Sequence, residues 1–220
     1  MLYLALYIIL PAIPGMQFLG LFAVFIWPFV TICIIFFYQK LSQKEPFDLQ
    51  EALKMIKPKV SGILMVGLLS FIYAGILSSL IGADITSLIE LSKNTPDYNF
   101  MFDDFSGIIY KIIVIAIPFM MMTWFAPLLI AFKGYSFFRA IKSSFAACLL
   151  YLIPIALGLL IISLCFLFIV LAISFIFAFI GTSASGLFSF VLSFLLIIAM
   201  AAFMALTFAI QSVTFKAIFK

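Results

Sequence analysis

Five basic side chains are candidates for binding an anion, because they lie beside apolar segments rather than in long polar loops. They are Lys54, Lys57, Lys133, Arg139 and Lys142. Ammonium and guanidinium groups at a membrane surface attract anionic lipid headgroups, with about 1 kcal/mol from each charge. The sequence therefore predicts contacts with lipid headgroups or another phosphate at these positions. The alternative is that these charges only fix the topology of the chain and bind no specific ligand.

Residue types that support catalysis or metal binding are sparse. The chain has no His, which is the commonest metal ligand and the side chain that titrates nearest to neutral pH. Cys33, Cys148 and Cys165 lie in apolar runs without CxxC spacing, a pattern typical of buried thiols. The sequence contains no Walker, HExxH or GxSxG motif. We therefore predict no catalytic residue, no metal, no cofactor and no enzymatic activity.

The elements that carry these residues are long apolar segments. Of the 220 residues, 67% are hydrophobic and 9% are charged, and the mean hydropathy is +1.39. Soluble domains carry roughly 25% charged residues, and so few charges could not cover the surface of a water-soluble fold. The solvent around this chain is therefore predicted to be lipid.

The breaks between apolar segments predict an all-α helical bundle in the membrane, formed by one domain over residues 1–220. A helix crosses roughly 30 Å of hydrocarbon with about 20 apolar residues. The segments long enough to cross are residues 16–38, 60–81, 108–132, 155–180 and 186–210. Residues 2–13 are predicted as a sixth, short helix that enters part-way or continues a span beginning upstream. Pro154 marks a predicted bend within the long apolar run 145–180.

The uneven distribution of charge predicts the orientation of the bundle. Ten of the twelve lysines and arginines fall in residues 39–59, in residues 133–143 or at the C-terminal end. Loops rich in Lys and Arg remain in the cytoplasm. We therefore predict that these loops and the C-terminus are cytoplasmic, and that residues 83–107 face the periplasm or the exterior.

Each of the two cytoplasmic connections contains a short amphipathic segment, predicted to be a helix in the headgroup region. Asp48 and Glu51 have capping-box spacing in the first, and Ser136 is the predicted N-cap of the second. The predicted apolar faces are Leu49, Ala52, Leu53 and Ile56, and then Phe137, Ala140 and Ile141. The shared pattern suggests a parallel repeat of span, interfacial helix and span over residues 16–82 and 108–180. The alternative is convergence of two unrelated interfacial helices.

Small residues recur at four-residue spacing in two spans and predict close helix packing. They are Ser70, Ala74 and Ser78 in one span and Ala201, Ala205 and Ala209 in the last. One interpretation is packing within the chain. The other is an interface with a second copy or with another membrane protein.

A further set of residues carries a resemblance to a known group of proteins. They are Trp124-Phe125-Ala126-Pro127, Gly134, Ala140, Ser144-Phe145, Ala147-Cys148 and Pro154, together with the stretch KEPFDLQEALKMIKPKVSGILMVGLL. In these motifs the chain resembles six-helix bacterial inner-membrane proteins, which include the YciC-like proteins and relatives of the membrane domain fused to some glycerophosphodiester phosphodiesterases. The resemblance implies a bacterial inner-membrane location and no established activity, and it transfers no catalytic residue.

Three functions follow as hypotheses. The lack of charge within the spans and the small-residue ridges favour a non-catalytic envelope accessory or partner-binding scaffold. The alternative is a channel or carrier for lipidic or weakly polar molecules, favoured by the parallel repeat, the 29 Phe residues and the basic inner rim. A third hypothesis is a toxin-immunity membrane protein. The expected partners are anionic membrane lipids at the cytoplasmic face and a second copy or a membrane protein, with no nucleic acid.

Overall fold

The structure, a computed structural model, describes residues 19–94, 98–180 and 186–219. All regular secondary structure in these ranges is helical, which confirms the predicted all-α fold. The α-helices are α1 (Leu19–Gln43), α2 (Leu49–Ile56), α3 (Val60–Asn94), α4 (Tyr98–Trp124), α5 (Ala126–Lys133), α6 (Phe137–Leu150), α7 (Leu152–Ile180) and α8 (Gly186–Ile218), and a 3₁₀ turn, Lys57–Lys59, joins α2 to α3. The short helix predicted over residues 2–13 lies outside the described residues.

Five helical segments in the described part of the chain are long and apolar enough to cross a membrane. They are Phe22–Gln43, Leu49–Leu80, Ser106–Lys133, Leu152–Phe175 and Phe194–Ile218. The second segment begins with α2 and continues through the 3₁₀ turn into α3, and the third includes both α4 and α5. The chain is thus a multi-pass helical membrane protein.

The short helix α5 lies at the centre of the packed part of the bundle. All residues from Ala126 to Ala131 are buried, and α5 contacts α1, α3, α4 and α6. A helix that is apolar on every side is stable where other helices cover it. By contrast, α7 packs mainly against α8, and only 6% of its spanning window is buried. The described bundle therefore combines a closely packed region around α5 with a more exposed hairpin of α7 and α8.

The span predicted over residues 108–132 lies within the apolar segment Ser106–Lys133, but this segment is not one unbroken helix, because α4 ends at Trp124 and α5 begins at Ala126. Phe125 lies between them with φ −105° and ψ −8°. Pro127, in the first turn of α5, has no N–H to donate to the carbonyl of Thr123, and in a continuous helix its ring would clash with that carbonyl. The break therefore follows from Pro127, which hydropathy alone does not distinguish from the other residues of the apolar run.

The first amphipathic helix, α2, forms where it was predicted. Asp48 has an extended backbone, and its carboxylate accepts a hydrogen bond from the N–H of Gln50 at 2.8 Å, which confirms the predicted N-cap. Glu51 does not act as the second member of a capping box in this structure, because its carboxylate pairs with Lys40 Nζ at 3.0 Å. Of the predicted apolar face, the buried residues are Ala52 and Ile56 and the exposed ones are Leu49 and Leu53.

The second amphipathic helix, α6, packs one face into the bundle against α4 and α5. Its buried residues are Ala140, Ser144, Ala147 and Cys148. Ser136 holds the N-cap position with an extended backbone, although its side chain makes no capping hydrogen bond. The predicted bend occurs at Tyr151, and Pro154 lies in the first turn of α7, where a missing N–H breaks no helical hydrogen bond.

The predicted small-residue ridges are only partly buried. On α3, Ser70 is buried, Ala74 is half-buried and Ser78 is exposed. On α8, Ala201 and Ala209 are half-buried and Ala205 is exposed. Neither ridge is buried along its whole length, and of these six residues Ser70 alone is buried.

A close approach of α3 to α1 occurs at Gly67, which is not among the predicted small-residue positions. A Cβ atom added to Gly67 would overlap the backbone carbonyl oxygen of Phe25 in α1. The lack of a side chain at this position lets the two helix backbones approach closely, as small residues do in membrane helix packing.

We expect Gly67→Ala to lower the free energy of unfolding by roughly 1–3 kcal/mol, because the added methyl group must displace the α1 backbone. The measurement is the unfolding midpoint in mixed micelles of fixed composition. The matched control is Gly75→Ala in the same helix, where an added Cβ meets nothing within 4 Å. Equal midpoints for the two variants would contradict this close approach of α1 and α3.

Candidate functional site

The break between α4 and α5 leaves backbone polar groups inside the apolar bundle. An N–H or C=O group without a hydrogen-bond partner in hydrocarbon costs several kcal/mol, because an apolar medium offers no replacement for the lost hydrogen bond. Ser144 of α6 meets two of these groups, because its hydroxyl accepts from the N–H of Phe125 at 2.9 Å and donates to the carbonyl of Met121 at 2.7 Å. A side chain from a different helix therefore replaces the missing helical bond.

A second side chain meets the carbonyl of Trp124. Gln211 of α8 is 5% exposed, and its Nε2 donates a hydrogen bond to this carbonyl. A buried amide needs such a partner, and in a continuous helix the Trp124 carbonyl would be occupied by a helical N–H. The break and the buried glutamine thus satisfy each other.

The far end of α5 is held by the backbone and by a lysine. Gly134 follows the helix with φ 67°, and the N–H of Tyr135 donates to the carbonyl of Leu129 at 3.2 Å. Lys59 Nζ, from the 3₁₀ turn before α3, donates to the carbonyl of Ala131. A cation near the C-terminus of a helix also interacts favourably with the helix dipole. Both ends of α5 are therefore fixed by polar contacts.

An apolar cleft of about 190 Å³ lies between α4, α6 and α7. Its lining residues are Ile117, Met120, Met121, Trp124, Cys148, Leu152, Ile155, Ala156 and Leu159. Three of them are well exposed at the protein surface, namely Ile117 (45%), Met120 (50%) and Leu152 (47%). The cleft is therefore reachable from the side, from the position that lipid chains occupy around a membrane protein.

A smaller cavity of about 130 Å³ lies between α1, the junction of α4 and α5, and α8. The residues that line it are Trp27, Thr31, Met120, Thr123, Trp124, Pro127, Thr207, Phe208 and Gln211. Its surface is mainly apolar, but three threonines and one glutamine are among the lining residues, so we call it the polar cavity to distinguish it from the apolar cleft. None of these nine residues carries a charge.

Trp124 lines both the apolar cleft and the polar cavity. Its indole Nε1 is buried and has no hydrogen-bond partner among the described residues. A buried donor of this kind calls for an explanation, such as a bound water or a ligand. The residue that ends α4 therefore borders both spaces, as does Met120 one turn earlier.

The five predicted headgroup contacts are all exposed and lie outside these spaces. Lys54 and Lys57 belong to α2 and the 3₁₀ turn, whereas Lys133, Arg139 and Lys142 flank the turn between α5 and α6. The guanidinium group of Arg139 lies 4.3 Å from the centre of the Tyr135 ring, a cation–π contact. Within the described ranges, no hydrogen bond joins these five residues into one cluster.

The predicted site residues do not include Ser144 and Gln211, which seal the break, or Lys59, which holds the far end of α5. Ser144 entered only as part of a motif, and Lys59 only as a topological charge. The signal that could have located the site is Pro127 within a predicted span, because a proline there requires polar partners from other helices. No group of three or more His, Cys, Asp or Glu that could hold a metal ion is present among the described residues.

We expect Ser144→Ala to lower the free energy of unfolding by about 1–3 kcal/mol, since it leaves a buried N–H and a buried carbonyl without their partner. Ser143→Ala is the matched control, because the neighbouring hydroxyl makes no hydrogen bond within the described part of the chain, and its effect should stay within about 0.5 kcal/mol. Unfolding by a denaturing detergent measures both. A Ser144→Ala variant as stable as its control would disprove the sealing role of this hydroxyl.

Comparison with known proteins adds no relative to this description. No protein-family model, no curated protein and no solved structure matches the chain. The candidate site therefore rests on its own geometry: a helix break sealed by Ser144 and Gln211, with an apolar cleft on one side of Trp124 and a polar cavity on the other.

Proposed function

We propose that the protein binds and carries a lipidic or weakly polar molecule, which enters the apolar cleft between α4, α6 and α7. The observation that carries the proposal is the cleft itself, because its lining is apolar and several lining residues are also exposed at the lipid-facing surface. Ligand sites are usually concave and mostly apolar, with few polar groups that orient the ligand. The proposed role is non-catalytic, in keeping with the absence of a catalytic motif in the sequence.

The proposal is supported by a difference between the two walls of the cleft, because the α7 side is expected to move more easily than the α4 side. The α4 side is tied to α6 and α8 through Ser144 and Gln211. The α7 side packs mainly on α8. A helix that makes few contacts with the opposite wall of the cleft can move away from it at low cost, so lateral entry of a chain-like molecule does not require the core around α5 to open.

Filling the cleft tests the proposal. The probe is a 16-carbon alkane that bears a photoreactive diazirine, and in nanodiscs we expect it to label the cleft-lining peptides saturably. We expect Ala156→Trp to lower this saturable labelling at least about fivefold, because the indole occupies the cleft. Leu157→Trp is the matched control on the next position of α7, which is 53% exposed and does not line the cleft. Labelling that is unsaturable, or equally affected by the two variants, would refute the site.

A second candidate function, a partner-binding scaffold, is favoured by the exposure of α7. Its outward side chains include Ile153 (72% exposed) and Phe168 (69%), and such a surface can accept a second copy or another membrane protein as readily as lipid. Native mass spectrometry of the same preparation separates the two functions. Bound lipid-sized mass supports the carrier, and a stoichiometric protein partner supports the scaffold.

We also propose that the basic end of the bundle faces the cytoplasm of a bacterial cell, with the protein in the inner membrane. The resemblance to bacterial inner-membrane proteins supports the location. Lys216 donates to Ser42 at 2.9 Å, so the basic ends of α1 and α8 lie together, and the exposed residues Lys133 and Arg139 would meet anionic headgroups there. At the other end of α3 and α4, Lys111 pairs with Asp84 at 2.8 Å.

Thiol labelling tests this orientation. In a background without the three native cysteines, we expect Gly107→Cys to react with a membrane-impermeant maleimide on intact cells, because this exposed position belongs to the predicted outer loop. Gln50→Cys, exposed on α2, should react only after the membrane is permeabilised. Reaction of Gln50→Cys on intact cells would reverse the proposed topology.

A further inference from the structure

The polar cavity places hydroxyl groups at a depth where a membrane is otherwise apolar. Its three threonines, Thr31, Thr123 and Thr207, precede the basic residues Lys40, Lys133 and Lys216 on the same stretches of chain. Thr31 and Thr207 each precede their lysine by nine residues on one unbroken helix, which is about 14 Å at 1.5 Å per residue. Half of a hydrocarbon layer of roughly 30 Å is about 15 Å. With Lys40 and Lys216 at the membrane surface, the hydroxyl groups of Thr31 and Thr207 would lie near the middle of the membrane.

The three threonines that line the cavity retain hydrogen-bond acceptors. Each donates its hydrogen to a carbonyl four residues earlier in its own helix, at distances of 2.9–3.0 Å. A hydroxyl oxygen that has donated its hydrogen still has lone pairs that can accept. The residues that line the cavity therefore include oxygen acceptors on α1, α4 and α8.

Trp124 adds a donor to the same place. Its Nε1 is buried without an acceptor among the described residues, and leaving a buried donor unpaired costs about 1–3 kcal/mol. The acceptor is therefore expected to come from a molecule in one of the two spaces that Trp124 lines. Met120 lines both spaces as well, and its unbranched side chain can change rotamer to let a narrow chain pass.

The lining favours an uncharged hydroxyl group over a carboxylate or a phosphate. A charge at the centre of a bilayer costs at least about 2.5–3.5 kcal/mol, and no residue that lines the cavity carries an opposite charge to offset it. The threonine hydrogens are already used within their own helices. A hydroxyl group can donate to a threonine oxygen and accept from the indole N–H at the same time.

We propose that the polar cavity binds the hydroxyl head of a neutral long-chain alcohol or of a lipid with an equivalent hydroxyl head, and that the chain of this molecule extends into the apolar cleft. The inference rests on the proposed function and specifies its ligand. The cavity volume of about 130 Å³ is well above the ~10–15 Å³ that a single water requires, so a small head has room there. Occupation by water alone is the competing outcome.

Three photoreactive probes of equal chain length test the inference. They are a 16-carbon alkane, its terminal alcohol and its terminal carboxylate, each with a diazirine in the chain. All three are used at equal mole fraction in nanodiscs. We expect the alcohol to label the cleft-lining peptides with a half-saturation at least about fivefold lower than that of the alkane, the gain typical of one net hydrogen bond. The carboxylate should show no such gain.

Two variants assign the gain to the cavity. Thr207→Val removes one hydroxyl with little change of shape, and Trp124→Phe removes the indole N–H while keeping an aromatic ring. Each should bring the half-saturation of the alcohol to within about twofold of the alkane value measured with the same variant. Thr207→Val, which lies outside the apolar cleft, should also leave alkane labelling unchanged. Thr214→Val is the matched control, because Thr214 donates to Ile210 within α8 and does not line the cavity. It should retain the full preference for the alcohol.

The outcomes separate this inference from the function on which it rests. Saturable labelling without preference for the alcohol overturns the inference, assigns water alone to the polar cavity and leaves the carrier function standing. A preference for the carboxylate probe also overturns the inference, and it would instead favour binding of the anionic group near Arg139 and Lys142. A preference for the alcohol that survives both variants places the hydroxyl elsewhere and overturns it too. Unsaturable labelling by every probe removes both the function and the inference.

Discussion

The broken helix at Phe125 is the constraint on which the packed part of the bundle depends. Lipid offers no hydrogen bonds, so backbone groups that Pro127 removes from the α-helical pattern must find partners within the protein. At the break those partners are Ser144 from α6 and Gln211 from α8, and at the opposite end of α5 the carbonyl of Ala131 accepts from Lys59, in the turn before α3. Because the three side chains come from three different parts of the chain, satisfying one short helix fixes the relative positions of several long ones.

The same break determines what the interior can hold. Where α4 stops, the large side chain of Trp124 is left between an apolar cleft and a polar cavity. A continuous helix would use the Trp124 carbonyl internally and leave the buried amide of Gln211 without its acceptor, at a cost of about 1–3 kcal/mol. The polar residues near the centre of the membrane are thus compatible with the fold because the helix is broken there, and the cavity they line is a consequence of the same arrangement.

Hydropathy and charge predict much of this fold, since the length of each apolar run and the position of each lysine depend on local sequence alone. They predict the all-α architecture, the cap at Asp48 and the change of helix near Pro154. They predict the span over residues 108–132 but not the helix break within it, because Pro127 is itself apolar and its effect depends on partners far along the chain. Thr31 and Thr207 were not predicted as cavity residues for the same reason, because only the folded bundle brings them to one cavity. Neither lowers the hydropathy of its span enough to interrupt the apolar run.

The two halves of the described bundle differ in what a change of position would cost. Moving α5 would break the hydrogen bonds made by Ser144, Gln211 and Lys59, each of which would leave a polar group in an apolar medium. Among the described residues, no such hydrogen bond joins α7 to α4, and the side chains of α7 that leave the cleft wall would exchange protein contacts for lipid contacts of similar polarity. Hydrophobic burial gives no strong reason for α7 to stay closed on α4 in a bilayer. The cleft thus has one fixed wall, α4 with Trp124, and one wall that can move, α7. This arrangement is expected of a cleft that admits a lipid-like chain from the side and holds the hydroxyl head of that molecule by directional hydrogen bonds.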